Sequence, residues 1–151
     1  MSGEKESPIR ILIADDHHLF RVGLRYLLET NPNLVIVGEA GDGPETIAQS
    51  RQCKPDCVLL DFLMPKMSCF DVLRELKKLP NLRVLVLTAA IEKRQVDEVL
   101  ELGARGVILK GSLTDHLFQA IQTVMAGDIW LLNKATKRST AKRKAHKTGR
   151  S

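Results

Sequence analysis

The stretch ILIADD, residues 11–16, places two carboxylates directly after a short apolar run. In three more stretches a single polar residue directly follows a short apolar run: VLLD at 58–61, VLVLT at 84–88 and VILK at 107–110. Because these runs are apolar throughout rather than alternating, they are typical of strands buried on both faces of a parallel sheet. Open α/β sheets build their sites at the carboxyl ends of the strands. The pattern therefore predicts a polar site at that edge of the sheet.

Helix-like segments separate the strand-like runs and complete a fivefold alternation of strand and helix. Apolar residues recur at helical spacing after the first run, beginning with Phe20 and Leu24, and later helices stop at Gly103 and near Gly127. LVIV at 34–37 is the remaining strand. We therefore expect an α/β fold with a single doubly wound, five-stranded parallel sheet. Its order would be the flavodoxin-like 2-1-3-4-5, with helices on both faces.

In that order the four polar strand ends become consecutive neighbours, with about 4.8 Å between strands. Converging carboxylates repel, and one must hold a proton unless a cation is present. Mg²⁺ resolves the conflict, because it prefers oxygen ligands and usually takes one or two carboxylates, waters and a phosphate oxygen. We expect Asp16 and Asp61 to bind Mg²⁺ directly and Asp15 to act through water. A backbone carbonyl just after Asp61, that of Leu63, would add a further oxygen.

Asp61 is also a candidate nucleophile, because a carboxylate can accept a phosphoryl group as an acyl phosphate. Lys110 would supply a point charge to that group, and the Thr88 hydroxyl would donate to it once attached. Taken singly, these residue types have ordinary structural explanations, such as a helix cap for an Asp after a strand. Their joint placement on neighbouring strand ends favours a divalent-metal and phosphoryl site. We interpret the adjacent His17 and His18 as structural.

The charge of the 151-residue chain is unevenly distributed. The formal net charge is +5, yet eight Lys or Arg and no Asp or Glu lie from Lys134 onward. The preceding residues are therefore net acidic, and any nucleic-acid binding rests on the basic tail, where it would be weak and non-specific. We expect a flexible N-terminus at 1–8, a folded domain at 9–130 and a basic, disordered tail at 131–151.

Composition also bears on location. No apolar run approaches the length of a membrane span, so we expect no membrane association. The first eight residues lack the apolar segment of a secretory signal. Cys53, Cys57 and Cys69 form an odd set without metal-ligand spacing, which suits reduced thiols in a cytosol. The expected location is therefore the cytoplasm.

At this point several motifs resemble those of receiver domains of two-component response regulators. They occur in the family's order and spacing: ADDH at 14–17, LDFLMP at 60–65, LTA at 87–89, and GARG at 103–106 leading to Lys110. Three more resemble the NarL/FixJ subfamily: HHLFRVGL at 17–24, VGEA at 37–40 and AGDIWL at 126–131. The resemblance covers residues 9–127.

The resemblance implies Mg²⁺-dependent phosphotransfer to Asp61 from a sensor histidine kinase or a phosphotransfer protein. It also implies that phosphorylation draws Thr88 inward and remodels the following loop and helix, which changes partner binding or homodimerisation. The usual output surface is formed by the fourth helix, fifth strand and fifth helix, and the first and fifth helices sometimes pair in this subfamily. The implied protein is a signalling domain in a phosphorelay and not a metabolic enzyme.

The sequence departs from the family pattern in three ways. Val107 stands where an aromatic residue usually rotates with the switch, and Lys66 and Cys69 replace glycines of the loop after Met64-Pro65. About twenty basic-rich residues follow the domain where a helix-turn-helix module is usual, so we expect a standalone or truncated regulator, or a sequence cut short. The alternatives left open are a degenerate, unphosphorylated receiver that binds partners, a tail that binds nucleic acid, and a hydrolase with Asp61 as nucleophile.

Overall fold

The computed structural model describes residues 7–136, and in this range seven strands form one sheet with five α-helices packed on it. The strands are β1 (Ile9–Ala14), β2 (Leu34–Ala40), β3 (Cys57–Asp61), β4 (Arg83–Thr88), β5 (Gly106–Leu109), β6 (Ile129–Leu132) and β7 (Lys134–Thr136). The helices are α1 (His18–Glu29), α2 (Gly43–Cys53), α3 (Cys69–Leu76), α4 (Lys93–Glu101) and α5 (Leu113–Met125).

The central strands are buried on both faces, as their continuous apolar runs predict. Successive side chains of a strand point to opposite faces, so in β3 Val58 and Leu60 join one core while Cys57 and Leu59 join the other. The first core packs against α2, α3 and α4, and the second against α1 and α5. The predicted two-faced α/β fold is confirmed.

The sheet order is β2-β1-β3-β4-β5-β6-β7, which confirms the predicted order 2-1-3-4-5 and extends it by two strands. β6 pairs in parallel with β5, and β7 pairs antiparallel with β6. Gly106 makes this extension possible, because a Cβ there would lie 2.7 Å from the carbonyl oxygen of its partner Trp130. Trp130 is buried in the core formed with α1 and α5.

The extension also bears on the expected domain boundary. β6 runs past residue 130, and residues 131–136, which we expected in the disordered tail, complete β6 and form β7. A run of four apolar residues followed by basic ones was too short to predict as a hairpin. The remainder of the expected tail, residues 137–151, and most of the expected flexible N-terminus, residues 1–6, lie outside the described residues.

Two helix ends fall where the glycines predict them. After α4, Gly103 has φ +107°, and after α5, Gly127 has φ +96°. Residues other than glycine rarely adopt this left-handed backbone conformation, so glycine is the residue suited to end a helix in this way. The first of these turns brings the chain back into β5 and so delivers Lys110 to the site edge.

Candidate functional site

The structure brings the predicted site residues to the carboxyl edge of the sheet. Asp15 directly follows β1, Asp61 ends β3 and Thr88 ends β4. Lys110 follows β5 and begins a short 3-10 turn. In the sheet register, Asp61 lies opposite the residue that precedes Thr88, so their two strand ends adjoin. The parallel topology thus places the polar ends together, as expected.

Two of the carboxylates are deeply buried and share one cation. Asp15 is 0% exposed and Asp61 is 4% exposed, whereas Asp16 is solvent-exposed. Burying an ionised carboxylate is costly unless a charge partner is supplied. Lys110 supplies it, since its Nζ lies 2.7 Å from Asp15 Oδ2 and 3.5 Å from Asp61 Oδ1. Lys110 is therefore the counter-charge of both buried carboxylates in this structure.

The electrostatic environment of Asp61 raises its pKa to about 6. Burial is the largest cause, and the negative charge of Asp15 adds to it. The charge of Lys110 acts in the opposite direction, as does the hydrogen bond that the Leu63 backbone N–H donates to Asp61 Oδ1 at 3.3 Å. Removing the proton from Asp61 is thus harder than for an ordinary carboxyl, which leaves a site that gains from an added cation.

The acidic group has the oxygen donors that a divalent cation needs. One carboxylate oxygen each from Asp15, Asp16 and Asp61 and one ring nitrogen of His17 lie within 4.8 Å of one another. Mg²⁺ prefers oxygen ligands, so the three carboxylates fit it. Leu63, whose backbone carbonyl is the predicted further ligand, lies two residues after Asp61, and its N–H donates to that carboxylate.

His17 lies closer to this acidic group than the sequence suggested. Its backbone N–H donates to Asp15 Oδ1 at 2.8 Å, and its Nδ1 lies 3.3 Å from Asp15 Oδ1 and 3.2 Å from Asp16 Oδ1. His17 is the N-terminal cap residue of α1, and its side chain makes no capping bond there. These contacts orient the carboxylates, which agrees with a structural role for His17.

The hydroxyl of Thr88 is occupied by local backbone. It donates to the carbonyl oxygen of Ala90 at 2.8 Å and accepts a longer hydrogen bond from the Ala90 N–H at 3.3 Å. Thr88 is only 2% exposed, so this pairing satisfies a buried polar group. The hydroxyl would have to exchange this partner in order to donate to a group on Asp61. Val107, the position at which the family's aromatic was expected, is fully buried.

Two residues of α1 that the sequence analysis did not place in the site contact it directly. Arg21 Nη1 donates to the backbone carbonyl of Asp15 at 2.5 Å, while its Nε donates to Glu39 at 3.1 Å. The Phe20 ring centroid lies 4.2 Å from Lys110 Nζ. Their positions in the sequence could have indicated this contact, because α1 begins shortly after Asp15 and its first turns therefore lie near the same edge of the sheet.

Within the described range, every helix falls short of the length and apolarity needed to cross a membrane. All three cysteines are free thiols, two of them buried.

Comparisons with known proteins agree on one family. Residues 11–122 match the family model of the response regulator receiver domain. The chain is 34% identical over 122 residues to the transcriptional regulatory protein YdfI of Bacillus subtilis, covering 81% of this chain and 57% of that protein. It is 35% identical over 121 residues to the response regulator VraR of Staphylococcus aureus, covering 80% of this chain and 58% of that protein. The chain thus spans a little over half the length of these relatives.

Solved structures give the same result. A two-component response regulator of the LuxR family from Aurantimonas is 29% identical, with a TM-score of 0.77 over 94% of this chain and 99% of that one. The isolated receiver domain of RcsB from Salmonella enterica, solved with the phosphomimetic BeF₃⁻, is 25% identical, with a TM-score of 0.76 over 83% of this chain and 94% of that one. With the family model matched over most of its length, the chain belongs to the family of response regulator receiver domains.

Proposed function

We propose that this chain is a phosphoacceptor switch of two-component signalling, with Asp61 as the residue that accepts the phosphoryl group. The observation that carries the proposal is the placement of Lys110 between two buried carboxylates at the carboxyl edge of the sheet, 2.7 Å from Asp15 and 3.5 Å from Asp61. A site built only for stability has no need of two buried carboxylates around one cation. A site that receives an anion uses the same cation for it.

In the proposed reaction, one carboxylate oxygen of Asp61 forms a bond to phosphorus while the bond from phosphorus to the donor's leaving group breaks. The leaving group is acetate when acetyl phosphate is the donor and a histidine side chain when the donor is a kinase or a phosphotransfer protein. Lys110 stabilises the negative charge that the phosphoryl oxygens carry, and the Thr88 hydroxyl donates to one of them after transfer. The product is an acyl phosphate.

The proposed metal is Mg²⁺, held by Asp16 and Asp61 directly, by Asp15 through water and by the backbone carbonyl of Leu63. When bound, it supplies positive charge that offsets both the carboxylates and the incoming phosphoryl group. The grouping of the three carboxylates within 4.8 Å supports this assignment. The raised pKa of Asp61 supports it too, since a carboxylate that resists ionisation alone gains more from a cation.

The proposed output is a change in partner binding or dimerisation. α1 exposes three large apolar side chains, Leu19 at 82%, Val22 at 49% and Tyr26 at 77%, whose spacing of i, i+3 and i+7 places them on one face of the helix. Such surface marks protein contacts. The donor would be a sensor histidine kinase or phosphotransfer protein, and the free thiols suit a cytoplasmic setting. The proposed receiver unit comprises residues 9–130 together with the β6–β7 hairpin.

The test is incubation of the full chain with acetyl phosphate and Mg²⁺, followed by intact-mass measurement. We expect the wild type to gain one phosphoryl group, and no gain with EDTA or in Asp61→Asn. Asp56→Asn is a matched control, because Asp56 precedes the same strand at the opposite end of the sheet and its carboxylate accepts from the Arg10 N–H. That variant should be phosphorylated like the wild type.

Three outcomes would reject the proposal. If the wild type gains no phosphoryl group at any Mg²⁺ concentration, the degenerate receiver becomes the better description. If Asp61→Asn is phosphorylated as fast as the wild type, the acceptor lies elsewhere. Rapid turnover of the donor, without a phosphorylated protein, would favour the hydrolase alternative.

A further inference from the structure

Among residues 7–136, three groups lie close to the ammonium of Lys110, and one of them carries no charge. The carboxylate of Asp15 lies at 2.7 Å, that of Asp61 at 3.5 Å, and the centroid of the Phe20 ring at 4.2 Å. The last distance is within the range in which a cation is attracted to the negative face of an aromatic ring. The side chain of Lys110 is only 20% exposed, so solvent weakens this attraction less than at an open surface.

Lysine needs such a contact more than most residues. Its charge sits at the end of a flexible four-carbon stem, and fixing that stem costs much rotamer entropy. Hydrogen bonds to carboxylates can fix it, but those same oxygens are the proposed ligands of Mg²⁺ and the proposed acceptor of the phosphoryl group. An aromatic ring restrains the ammonium without using a carboxylate oxygen and without neutralising its charge. The contact with Phe20 can therefore persist while the carboxylates change partners.

From this geometry we propose that Phe20 is a positioning residue for Lys110, an inference that rests on the proposed function. Its ring holds the ammonium over the site edge, so that the charge is in place when the phosphoryl group arrives. Sequence pattern alone assigns Phe20 to the apolar face of α1, where any residue of similar volume would serve. The two roles differ in a testable way, because a positioning role requires an aromatic ring and a packing role does not.

The test compares Phe20→Leu with Phe20→Tyr and Phe20→Trp in the full chain. The measured quantity is the second-order rate constant for phosphorylation of the protein by acetyl phosphate with Mg²⁺. We expect Phe20→Leu to lower it about three- to thirtyfold, the range that such contacts support when partly desolvated, and the two aromatic variants to stay within about twofold of the wild type. Phe118→Leu is the matched control, because Phe118 is a partly buried phenylalanine that packs on the same core from α5. It should leave the rate unchanged.

Two further measurements separate positioning from packing. In a Lys110→Ala background, Phe20→Leu should cause no additional loss of rate, because the ring acts through the missing ammonium. In NMR spectra of the protein without phosphoryl donor, the ε-methylene protons of Lys110 should be shifted upfield by the ring, and Phe20→Leu should abolish that shift while Phe118→Leu should not.

The proposal is overturned if the leucine variant matches the wild type in rate, if the leucine and aromatic variants lose rate equally, or if the Lys110 protons show no ring-dependent shift. These outcomes are distinct from a failure of the proposed function. If the proposed function fails, the wild type itself takes up no phosphoryl group. The reaction that Phe20 is proposed to assist then does not exist, whatever the NMR spectra show.

Discussion

Replacing Asp61 by asparagine should stabilise the metal-free protein at neutral pH. The folded structure raises the pKa of Asp61 from 3.8 to about 6, chiefly through burial and then through the charge of Asp15. The folded state therefore holds this proton more tightly than the unfolded chain does. Stability falls with rising pH wherever the folded state binds more protons, so the ionised carboxylate destabilises the fold increasingly between pH 4 and 6 and fully above pH 7.

The size of the effect follows from the shift. About two pKa units at 1.36 kcal/mol each give a cost of about 3 kcal/mol at pH 7.5, compared with about 1 kcal/mol at pH 4.5. Asparagine has nearly the same shape and no charge, and its amide oxygen can still accept from the Leu63 N–H. The stability advantage of Asp61→Asn should thus grow by about 2 kcal/mol from pH 4.5 to pH 7.5. The attraction between Lys110 and Asp61 is already contained in that pKa, so it does not reduce this figure further.

The assay is urea unfolding of wild type and Asp61→Asn at both pH values in EDTA, with equal denaturant slopes as the check that only stability has changed. Comparing the two proteins cancels the titrating groups that do not interact with Asp61. Adding Mg²⁺ at pH 7.5 should reduce the difference in stability between the two proteins. A ligand that binds only the folded state stabilises it, and the wild type retains the Asp61 carboxylate as a proposed ligand. The reasoning is refuted if the variant is less stable than the wild type at pH 7.5 in EDTA, or if the gap does not change with pH.

Three other outcomes are expected. The affinity of the wild type for Mg²⁺ should fall up to about tenfold per pH unit below pH 6, because protons compete with the metal for Asp61. Titration calorimetry at pH 5 and pH 7 measures this difference, and equal affinities would contradict the prediction. Lys110→Ala should cost about 2–4 kcal/mol of stability in EDTA, since it leaves the buried Asp15 without its cation, and Mg²⁺ should restore part of that loss in thermal unfolding. Gly106→Ala should displace β6, because the new Cβ meets the Trp130 carbonyl oxygen at 2.7 Å; a red shift in the emission of this single tryptophan is the readout, and unchanged emission would count against the clash.

The sheet and its polar edge were predictable because they depend on short-range patterns. Continuous apolar runs identify doubly buried strands, and the parallel arrangement then places every following polar residue at one edge. The hairpin at the end of the sheet was not predictable in the same way. Four apolar residues do not distinguish a strand from a linker, and the decisive feature is a glycine more than twenty positions earlier, Gly106, whose missing side chain admits Trp130.

The contacts inside the site show a second limit of sequence reasoning. Residue types at strand ends predicted which groups converge, but not which partner each one takes. The Thr88 hydroxyl pairs with Ala90, and Lys110 divides its charge between two carboxylates and the ring of Phe20. Such choices depend on side-chain rotamers and on distances of a few ångströms, which no spacing in the chain encodes. The sequence therefore predicted the polar groups at the strand ends, whereas the contacts of Phe20 and Arg21 and the connections within the site come from the structure.

Those connections bear on how the proposed switch would be driven. In this structure the Thr88 hydroxyl already has a backbone partner and Lys110 already has two carboxylates, so neither is idle. A phosphoryl group on Asp61 would have to draw both away. Thr88 gives up a neutral hydrogen bond, which costs only about 1 kcal/mol net, whereas Lys110 exchanges one charged partner for another. Charge-assisted bonds to phosphoryl oxygens are roughly twice as strong. The free-energy change of the exchange is therefore favourable but small, which suits a reversible two-state element. Because Thr88 ends β4 and Lys110 follows β5, the exchange would alter the ends of two adjacent strands.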